Sequence, residues 1–329
     1  MSITTQYLGL KLKNPLIVGS SPLTHSIKGI KHCAEAGAGA LVLKSLFEEQ
    51  IREQTSALSE SLAQQAGLHD EVYQYIEAGL DMRYGTREYL QMLADAKNET
   101  DIPIIASLNC ISDKWWLDFA RELEASGADA LELNIAVLPK SLKDTAPEIE
   151  RRYLDISRQA IEAVDIPVSV KLGPYFTSLP EMLDKLQSQG VRGFVLFNRF
   201  YRPTIDIGKQ EVVPGDRFSA NRELSITLRN LALFSGALPG DFAAASGIHT
   251  GADLIRTILA GAAASQVVTT LLKHNVDYIS TMLDELKVWM EKNGYDELAD
   301  FRGNLSQAKT PEAELFSRTQ YIEAIGGRL

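Results

Sequence analysis

The sequence predicts a single α/β domain built as a closed (β/α)8 TIM barrel, on three observations. Its 329 residues, 45% of them hydrophobic, suit one such domain, because barrels of this kind commonly run to about 250 residues or more. A glycine followed by a short apolar run recurs at Gly37, Gly127 and Gly190. A second phrase, Asp-Ile-Pro before an apolar run, occurs at Asp101 and Asp165. Both phrases are typical of the junction between a helix and the strand that follows it.

Eight short runs rich in apolar residues are the predicted strands of this barrel. Amphipathic helical patterns lie between most of them, as with Leu117, Ala120 and Leu123. Buried strands that alternate with helices indicate a parallel sheet, and this number of strands favours a closed barrel. The alternative is a doubly wound sheet, but no Gly-x-Gly-x-x-Gly phrase follows the first strand. The predicted strands are residues 15–19, 40–44, 103–108, 130–134, 167–171, 193–197, 242–245 and 265–269.

Two predicted connections are longer than ordinary barrel loops. Residues 45–100 join the second strand to the third, and residues 199–241 join the sixth to the seventh. Long insertions of this kind are often lids or walls of a binding site. We therefore expect one domain over residues 1–329, with the barrel core at about residues 7–273 and a C-terminal helix and tail at residues 274–329.

Composition and charge exclude several other classes of protein. The formal net charge is −10 and the pI is about 5.1, whereas nucleic-acid binding needs a basic face. Cys33 and Cys110 are the two cysteines; they form no disulfide framework, and no metal-ligand spacing stands out. The N-terminus lacks a signal-peptide pattern, and no apolar run approaches the roughly 20 residues of a membrane helix. We therefore expect a cytoplasmic homodimer that acts on a small molecule and binds neither nucleic acid nor membrane.

Polar residues stand at the ends of the predicted strands, where this fold places its active sites. The lysines and asparagines among them would make a pocket rich in hydrogen-bond donors. Such a pocket suits an electron-rich planar ligand and the anion that forms when this ligand is reduced. Any one of these residues alone could be an ordinary surface residue, but their shared position favours a site. The set is Ser20, Ser21, Lys44, Ser45, Asn109, Asn134, Lys171, Asn198, Ser246, Gly247 and Thr269.

Glu132 stands two residues before Asn134, so its side chain is expected to point into the barrel as well. Its partner there is expected to be Lys44 or Lys171, which end other predicted strands. A pair of this kind would be structural rather than act on a substrate.

Two turns of small residues flank the last helix of the predicted barrel. Residues 244–255 contain Ser246 and Gly247 and lead into this helix, and residues 259–270 lead to the eighth strand and Thr269. Backbone N–H groups at such turns bind phosphate, and phosphate sites after strands seven and eight are frequent in this fold. The alternative is that the glycines and alanines only allow tight packing.

Short segments spread over roughly residues 7–273 carry a further similarity. They are Leu8–Pro15, Leu43–Ser45, Leu131–Asn134, Val170–Leu172, Phe197–Asn198 and the region of Ser246 and Thr269. In this order they resemble the dihydroorotate dehydrogenase family. The resemblance implies an FMN-dependent oxidoreductase that converts dihydroorotate to orotate in pyrimidine biosynthesis.

The resemblance also implies roles for the residues at the strand ends. The FMN phosphate would lie near Ser246, Gly247 and Thr269. Lys44 and Lys171 would lie beside the flavin and act in catalysis. The other expected cofactor contacts are Ser20, Ser21, Ser45 and Asn109, and the expected substrate contacts are Asn134 and Asn198.

One feature of the family is missing from the sequence. After Leu-Asn the family carries a Ser/Cys-Pro-Asn loop whose cysteine or serine is the general base, but here residues 135–139 read Ile-Ala-Val-Leu-Pro. Cys110, directly after the third predicted strand, is the candidate replacement, although a lone cysteine is more often a small core residue. His25 is a second candidate. The asparagine-rich substrate phrase is also missing, and residues 66–81 stand in that region with an unknown role.

Three alternatives remain open from the sequence. The first is a flavin-dependent reductase of another dihydropyrimidine or of an unsaturated carbonyl compound. The second is an aldolase-type lyase in which Lys171 forms a Schiff base at its strand end. The third is a flavin-binding protein without turnover.

Overall fold

A computed structural model describes residues 1–51, 85–112, 116–139, 141–199 and 203–310, together with residues 322, 325 and 326. The chain begins with an antiparallel hairpin of β1 (Thr5–Tyr7) and β2 (Leu10–Leu12). The further strands of the described residues are β3 (Leu16–Val18), β4 (Ala40–Val42), β5 (Leu46–Phe47), β6 (Ile104–Cys110), β7 (Ala130–Ile135), β8 (Val168–Leu172), β9 (Gly193–Leu196), β10 (Pro203–Asp206), β11 (Glu211–Pro214), β12 (Asp241–Ala245) and β13 (Ala264–Val267).

Eight of these strands run parallel in a closed ring. Their order is β4-β3-β13-β12-β9-β8-β7-β6, and the pairing of β4 with β6 closes the ring. The predicted (β/α)8 barrel is therefore confirmed, and each of its strands overlaps a predicted range. Several boundaries differ from the prediction: β4 ends at Val42, β6 continues to Cys110, and the last strand ends at Val267, with Thr269 at the beginning of a short helix.

Helices connect the strands and cover the outside of the ring. Thr250 and Ser26 begin two of them by accepting hydrogen bonds from the backbone N–H groups of Asp253 and Gly29. None of the described helices is long and apolar enough to cross a membrane. The helices whose bounds lie within the described residues are α1 (Ile27–Glu35), α2 (Thr86–Glu99), α3 (Leu117–Ala125), α4 (Ala146–Ala163), α5 (Leu179–Ser188), α6 (Leu224–Phe234), α7 (Gly251–Leu259), α8 (Thr269–His274) and α9 (Tyr278–Asn293).

The two predicted long connections contain structure of their own. After β4 the chain adds β5, which pairs in parallel with the upper end of β6. Residues 66–81 lie outside the described residues, and the description resumes at residue 85 before α2. After β9, the strands β10 and β11 pair as an exposed antiparallel hairpin, and α6 follows.

Side chains along the strands alternate between the inside of the ring and the surrounding helices. The outward-facing residues form the large apolar core beneath the helices, as Leu41 and Leu131 do. Below the C-terminal ends of the strands, the interior of the ring is filled by a second apolar cluster, in which alanine is the commonest residue. Its members include Ile17, Ala40, Val42, Ile105, Ala130, Val195, Ala243, Ala245 and Ala264. Towards the C-terminal ends of the strands the inward positions become polar, so the site lies above an apolar floor.

The hairpin of β1 and β2 closes the other end of the ring. Its residues Tyr7, Leu8 and Leu12 belong to the same apolar cluster as the inward side chains. The Leu8 N–H donates to Asp241 Oδ2 at 2.7 Å. The Thr5 hydroxyl donates to the Ala263 carbonyl at 2.9 Å. We call this hairpin the N-terminal plug.

Candidate active site at the barrel mouth

Lys171 and Glu132 place opposite charges inside the barrel. The Lys171 Nζ donates to Gln266 Oε1 at 2.7 Å and lies 3.8 Å from Glu132 Oε1. The Gln266 amide donates in turn to Glu132 Oε2. Since the Glu132 side chain is 1% exposed and that of Lys171 is 13% exposed, the carboxylate lies deeper than the ammonium. The expected pairing of Glu132 inside the barrel is confirmed, and its partner is Lys171.

A row of side-chain amides lies beside Lys171. Asn109, Asn134 and Lys171 occupy facing positions on β6, β7 and β8. Asn198 follows β9, and its Nδ2 donates to Asn134 Oδ1 at 2.7 Å. Its backbone N–H donates to the Leu172 carbonyl at 2.7 Å, which fixes the start of this loop. Amides in such a row offer donors and acceptors to a planar ring that carries carbonyl and N–H groups.

Hydroxyl groups fix the backbone around Lys44, in the segments that follow β3 and β4. The Ser45 N–H donates to Ser20 Oγ at 2.7 Å, and the two hydroxyl oxygens lie 3.0 Å apart. The Ser45 hydroxyl also lies 2.7 Å from that of Ser107 on β6. Lys44 is half-buried between these contacts. Ser21 instead accepts a hydrogen bond from the Leu23 N–H, where it caps a short 3-10 helix.

The turn after β12 requires its glycine. Ser246 and Gly247 have φ angles of 69° and 78°. A Cβ atom on Gly247 would lie 2.4 Å from the backbone nitrogen of Leu224, so a larger residue does not fit. Asn221 Nδ2 donates to the Gly247 carbonyl at 3.2 Å, and Ser246 Oγ donates to the Phe197 carbonyl at 3.1 Å. The turn is therefore held from two sides.

A cavity of about 280 Å³ joins this turn to Lys171. We call it the lysine cavity. Thr269 lines it, and Ser219 contacts Thr269 Oγ1 through its backbone N–H at 3.3 Å and its hydroxyl at 3.1 Å. Two cations, Arg199 and Arg217, also line this cavity, and Arg199 pairs with Glu223 at 3.1 Å. The predicted residues that this cavity brings together are Ser20, Lys171, Asn198, Ser246, Gly247 and Thr269.

Comparison with known proteins decides what kind of protein carries this site. The family model described as dihydroorotate dehydrogenase matches residues 2–290. The chain belongs to the dihydroorotate dehydrogenase family. It is therefore an oxidoreductase of the dihydroorotate and dihydropyrimidine dehydrogenase type, which favours redox chemistry over the alternative of a Schiff-base lyase.

Relatives in this family differ in their own activities. The chain is 25% identical over 292 residues to the catalytic subunit of dihydroorotate dehydrogenase B (NAD(+)) of Methanocaldococcus jannaschii, covering 86% of this chain and 92% of that protein. It is 27% identical over 237 residues to a putative dihydroorotate dehydrogenase A (fumarate) of Aeropyrum pernix, covering 68% and 74% of the two chains. It is 24% identical over 344 residues to the chloroplastic dihydropyrimidine dehydrogenase (NADP(+)) of Arabidopsis thaliana, covering 97% and 80%.

Cys110, the expected replacement for the family's general base, lies away from the amide row. Asn109 faces into the ring, so its neighbour on β6 faces outward into the core beneath the helices. Burial raises the pKa of the Cys110 thiol well above its usual value, and the carboxylates of Glu48 and Glu49 raise it further. A thiol of this kind stays protonated at neutral pH, so its placement argues against a role as base. His25, the second candidate, lines a separate surface cavity against α2.

A second cavity, of about 490 Å³, lies on the other side of the amide row in this dihydroorotate dehydrogenase family member. We call it the glutamate cavity. It is lined by Asn109, by Glu49, and by Ala136, Val137 and Leu138 of the loop after β7. These three loop residues occupy the position of the family's base, and none of them carries an ionisable group.

Several groups that the structure brings to these cavities were not predicted from the sequence. They include the Gln266 amide, the Ser219 hydroxyl, the Glu49 carboxylate and the guanidinium groups of Arg199 and Arg217. Gln266 could have been found, because it shares inward parity with Ala264 on β13. Ser219 stands in an irregular segment of one long connection, and Glu49 stands in a helical segment of the other that begins directly after β5. Neither position continues the alternation of a barrel strand.

Proposed function

We propose that the protein is an FMN-dependent oxidoreductase that interconverts a dihydropyrimidine and the corresponding pyrimidine at a CH–CH group. The observation that carries this proposal is the Lys171 ammonium, held by Gln266 and Glu132 in a cavity that also reaches the turn of Ser246 and Gly247. A fixed cation and a glycine turn in one cavity suit a ligand with an electron-accepting ring and a phosphate. Dihydroorotate and orotate are the first substrate pair to test.

The donor groups around the glycine turn fit the phosphate of FMN. Gly247 keeps the backbone close to the cavity where a Cβ atom would collide with Leu224. The hydroxyl groups of Ser219 and Thr269 and the guanidinium of Arg217 line the same space. Phosphate oxygens accept hydrogen bonds from such groups and favour a nearby cation. These residues would therefore hold the phosphate.

Bound FMN would supply a two-electron acceptor for the substrate. Lys171 would stabilise negative charge in the cofactor, because a cation that is already fixed in place needs no reorganisation during the reaction. Lys44, Ser20, Ser45 and Asn109 stand around the same barrel mouth and would be further cofactor contacts. Asn134 and Asn198 would bind the substrate through their amide groups, and their mutual hydrogen bond fixes the orientation of both.

Oxidation of dihydroorotate itself is expected to be weak. A positioned general base contributes about 10²–10⁴-fold to such a reaction, and Val137 and Leu138 cannot accept a proton. We therefore expect dihydroorotate turnover well below a typical enzyme rate of about 10 s⁻¹. Turnover at that rate would show that another group provides an efficient base for this substrate.

Incubation of the purified protein with FMN tests the proposal. We expect bound flavin to remain after gel filtration, with absorbance bands near roughly 370 and 450 nm. Under anaerobic conditions a dihydropyrimidine should bleach the band at the longer wavelength. A protein that remains colourless would contradict the assignment of FMN. A yellow protein that no dihydropyrimidine bleaches would contradict the substrate class and leave flavin binding intact.

A further inference from the structure

Glu49 is a buried carboxylate at the barrel mouth, in a segment that the mechanism above does not use. Phe47 on β5 pairs with Asn109 on β6, and Glu49 follows two residues later. Glu49 is only 8% exposed. Glu49 and Asn109 both line the glutamate cavity. The chain therefore carries a shielded carboxylate to the substrate side of the amide row.

Glu49 differs in burial from the other charged residues that line the glutamate cavity. Asp144, Glu148 and Arg152 are its other charged lining residues, and all three are exposed. Exposed charges are screened by water and salt and make poor general bases for a shielded substrate. Glu49 is thus the one buried ionisable group among the described residues that line this cavity.

Glu48, the neighbouring carboxylate, has a structural task. Its Oε2 accepts hydrogen bonds from the backbone N–H groups of Ile111 and Ser112, each at 2.8 Å. Its Oε1 accepts from the Ser112 hydroxyl. Glu48 therefore fixes the loop after β6 and fills its acceptor positions there. Glu49 is the one of the two that lines the glutamate cavity.

The amide row connects the two cavities. Asn109 faces Asn134 across β6 and β7, and Asn134 accepts from Asn198. Asn198 lines the lysine cavity together with Lys171. A ring bound on the asparagines therefore has the cofactor-side cation in one direction and the Glu49 carboxylate in the other.

We propose that Glu49 is the proton acceptor of the reaction, in place of the family's loop base; this inference rests on the proposed function. In the oxidation, the substrate carbon next to the carbonyl loses its proton to the Glu49 carboxylate. Bound flavin would supply the two-electron acceptor for the hydride of the adjacent carbon, so that a C=C bond is left between the two carbons. Glu49 then releases the proton to solvent. In the reverse direction the protonated Glu49 returns it.

The charge of Glu49 also selects the substrate class. Asp144, Glu148 and Arg152 at the rim are exposed and screened by solvent, so Glu49 is the charge that a bound substrate meets in this cavity. A substrate carboxylate placed there would meet a like charge that is shielded from water. Lys171 lies on the other side of the amide row and is already paired with Glu132. The favoured substrate is therefore a neutral dihydropyrimidine such as 5,6-dihydrouracil rather than dihydroorotate.

Anaerobic stopped-flow reduction of the FMN-loaded protein by 5,6-dihydrouracil tests the proton transfer. Glu49→Gln should slow flavin reduction by about 10²–10⁴-fold, and Glu49→Asp should recover part of the rate. Asp144→Asn removes an exposed carboxylate from the rim of the same cavity and should change the rate less than about threefold. A retained flavin spectrum in each variant shows that the protein is folded.

Binding of uracil and orotate gives a readout that does not depend on turnover. Each pyrimidine is titrated into the FMN-loaded protein, and the change in the flavin spectrum is followed. The wild-type protein should prefer uracil. Glu49→Gln should shift the ratio of affinities towards orotate by roughly threefold or more, because a like charge is removed. Asp144→Asn should leave this ratio unchanged.

The possible outcomes separate this inference from the proposed function. If 5,6-dihydrouracil or dihydroorotate reduces the wild-type flavin and Glu49→Gln is equally fast, Glu49 is not the base and the proposed function stands. Loss of rate in Cys110→Ala with Glu49→Gln unaffected would assign the base to Cys110 and overturn this inference. If no dihydropyrimidine reduces or perturbs the wild-type flavin, both the proposed function and the inference fail.

Discussion

Lys171 and Glu132 lie in the same part of the barrel but act in opposite directions on a ligand at its mouth. The ammonium favours negative charge in a bound cofactor, whereas the carboxylate opposes it. Their separation of 3.8 Å and the bridge through Gln266 mean that neither charge acts alone. Glu132 thus moderates the effect of Lys171 while it holds the ammonium in position.

Substitution of these two residues should shift the reduction potential of bound FMN in opposite directions. Lys171→Ala should lower the potential, because the reduced, anionic cofactor loses its cation. Glu132→Gln should raise the potential, because the ammonium is no longer offset. We expect each shift to reach about 30 mV, which is tenfold for a two-electron couple. Equilibrium reduction with a reference dye measures it. Shifts of the same sign in both variants would contradict this account.

The alternation of inward and outward side chains along the strands decides how many site residues can be found from the sequence. It predicted that Glu132 and Asn134 point inward together, and the structure confirms the pairing of Glu132 with Lys171. The same rule would have turned Cys110 outward once Asn109 was taken as inward. Strand alternation does not apply to Glu49, because the residues that follow β5 are helical. Its approach to Asn109 depends on tertiary structure.

At the scale of single elements, the turn after β12 offers a direct test of the cofactor site. Gly247 and Gly9 share a φ angle of 78°, so alanine is strained by about 1–2 kcal/mol at either position. They differ in their surroundings. Only the Cβ at Gly247 would collide with Leu224, since nothing lies within 4 Å of one at Gly9.

Gly247→Ala should therefore weaken FMN binding, and Gly9→Ala should not. We expect a loss of at least about tenfold in affinity for Gly247→Ala, equal to about 1.4 kcal/mol, because the turn must move to relieve the collision. Gly9→Ala serves as the matched control, with the same backbone strain and a lowered melting temperature. Fluorescence quenching of added FMN measures both affinities. Equal affinities in the two variants would place the phosphate away from this turn.

Strands and helices could be predicted from the sequence where their packing produces a regular pattern of apolar residues. The barrel strands are buried on both faces and begin after recognisable glycine or proline residues, so their positions follow from the sequence. The hairpin of β10 and β11 was not predicted. Its strands are largely exposed on both faces, and residues such as Ile205 and Val212 therefore show no buried stripe. Local pairing, rather than burial, defines this hairpin.

At the scale of the whole molecule, closure of the ring creates the site. Gln266 is hydrogen-bonded to Lys171, which is 95 residues away in the sequence, and to Glu132, which is 134 residues away. Such contacts follow from the order of strands around the barrel, which the sequence indicates only through the fold class. The distances within the site and the separation into two cavities could not be predicted from the sequence for this reason.

The N-terminal plug is coupled to pH through Asp241. Burial raises the pKa of this carboxyl group, although the Leu8 N–H, Arg302 and Arg192 oppose the shift. An acid with a raised pKa binds its proton more tightly in the folded state than in the unfolded state, where the pKa is about 3.9. Its contribution to stability is therefore lost as the pH rises from the unfolded pKa through the folded one.

Asp241→Asn should raise the melting temperature at pH 7. The amide keeps an oxygen that can accept from the Leu8 N–H and removes the buried charge. The advantage should shrink as the pH falls through the raised pKa of Asp241, because the carboxyl group itself then becomes neutral. Thermal unfolding of both proteins between pH 4 and pH 7 measures the difference. The opposite result is a variant that melts below the wild type, with a larger deficit at pH 7 than at pH 4. It would show that attraction of the Asp241 carboxylate to Arg192 and Arg302 outweighs the cost of burying its charge.

The N-terminal plug also joins segments that are synthesised far apart in time. Thr5 and Leu8 leave the ribosome before their partners Ala263 and Asp241, which lie 258 and 233 residues later. At about 5–20 residues per second, the apolar face of this hairpin waits roughly ten to fifty seconds before the surface that covers it exists. The nascent chain must therefore protect Tyr7, Leu8 and Leu12 during translation.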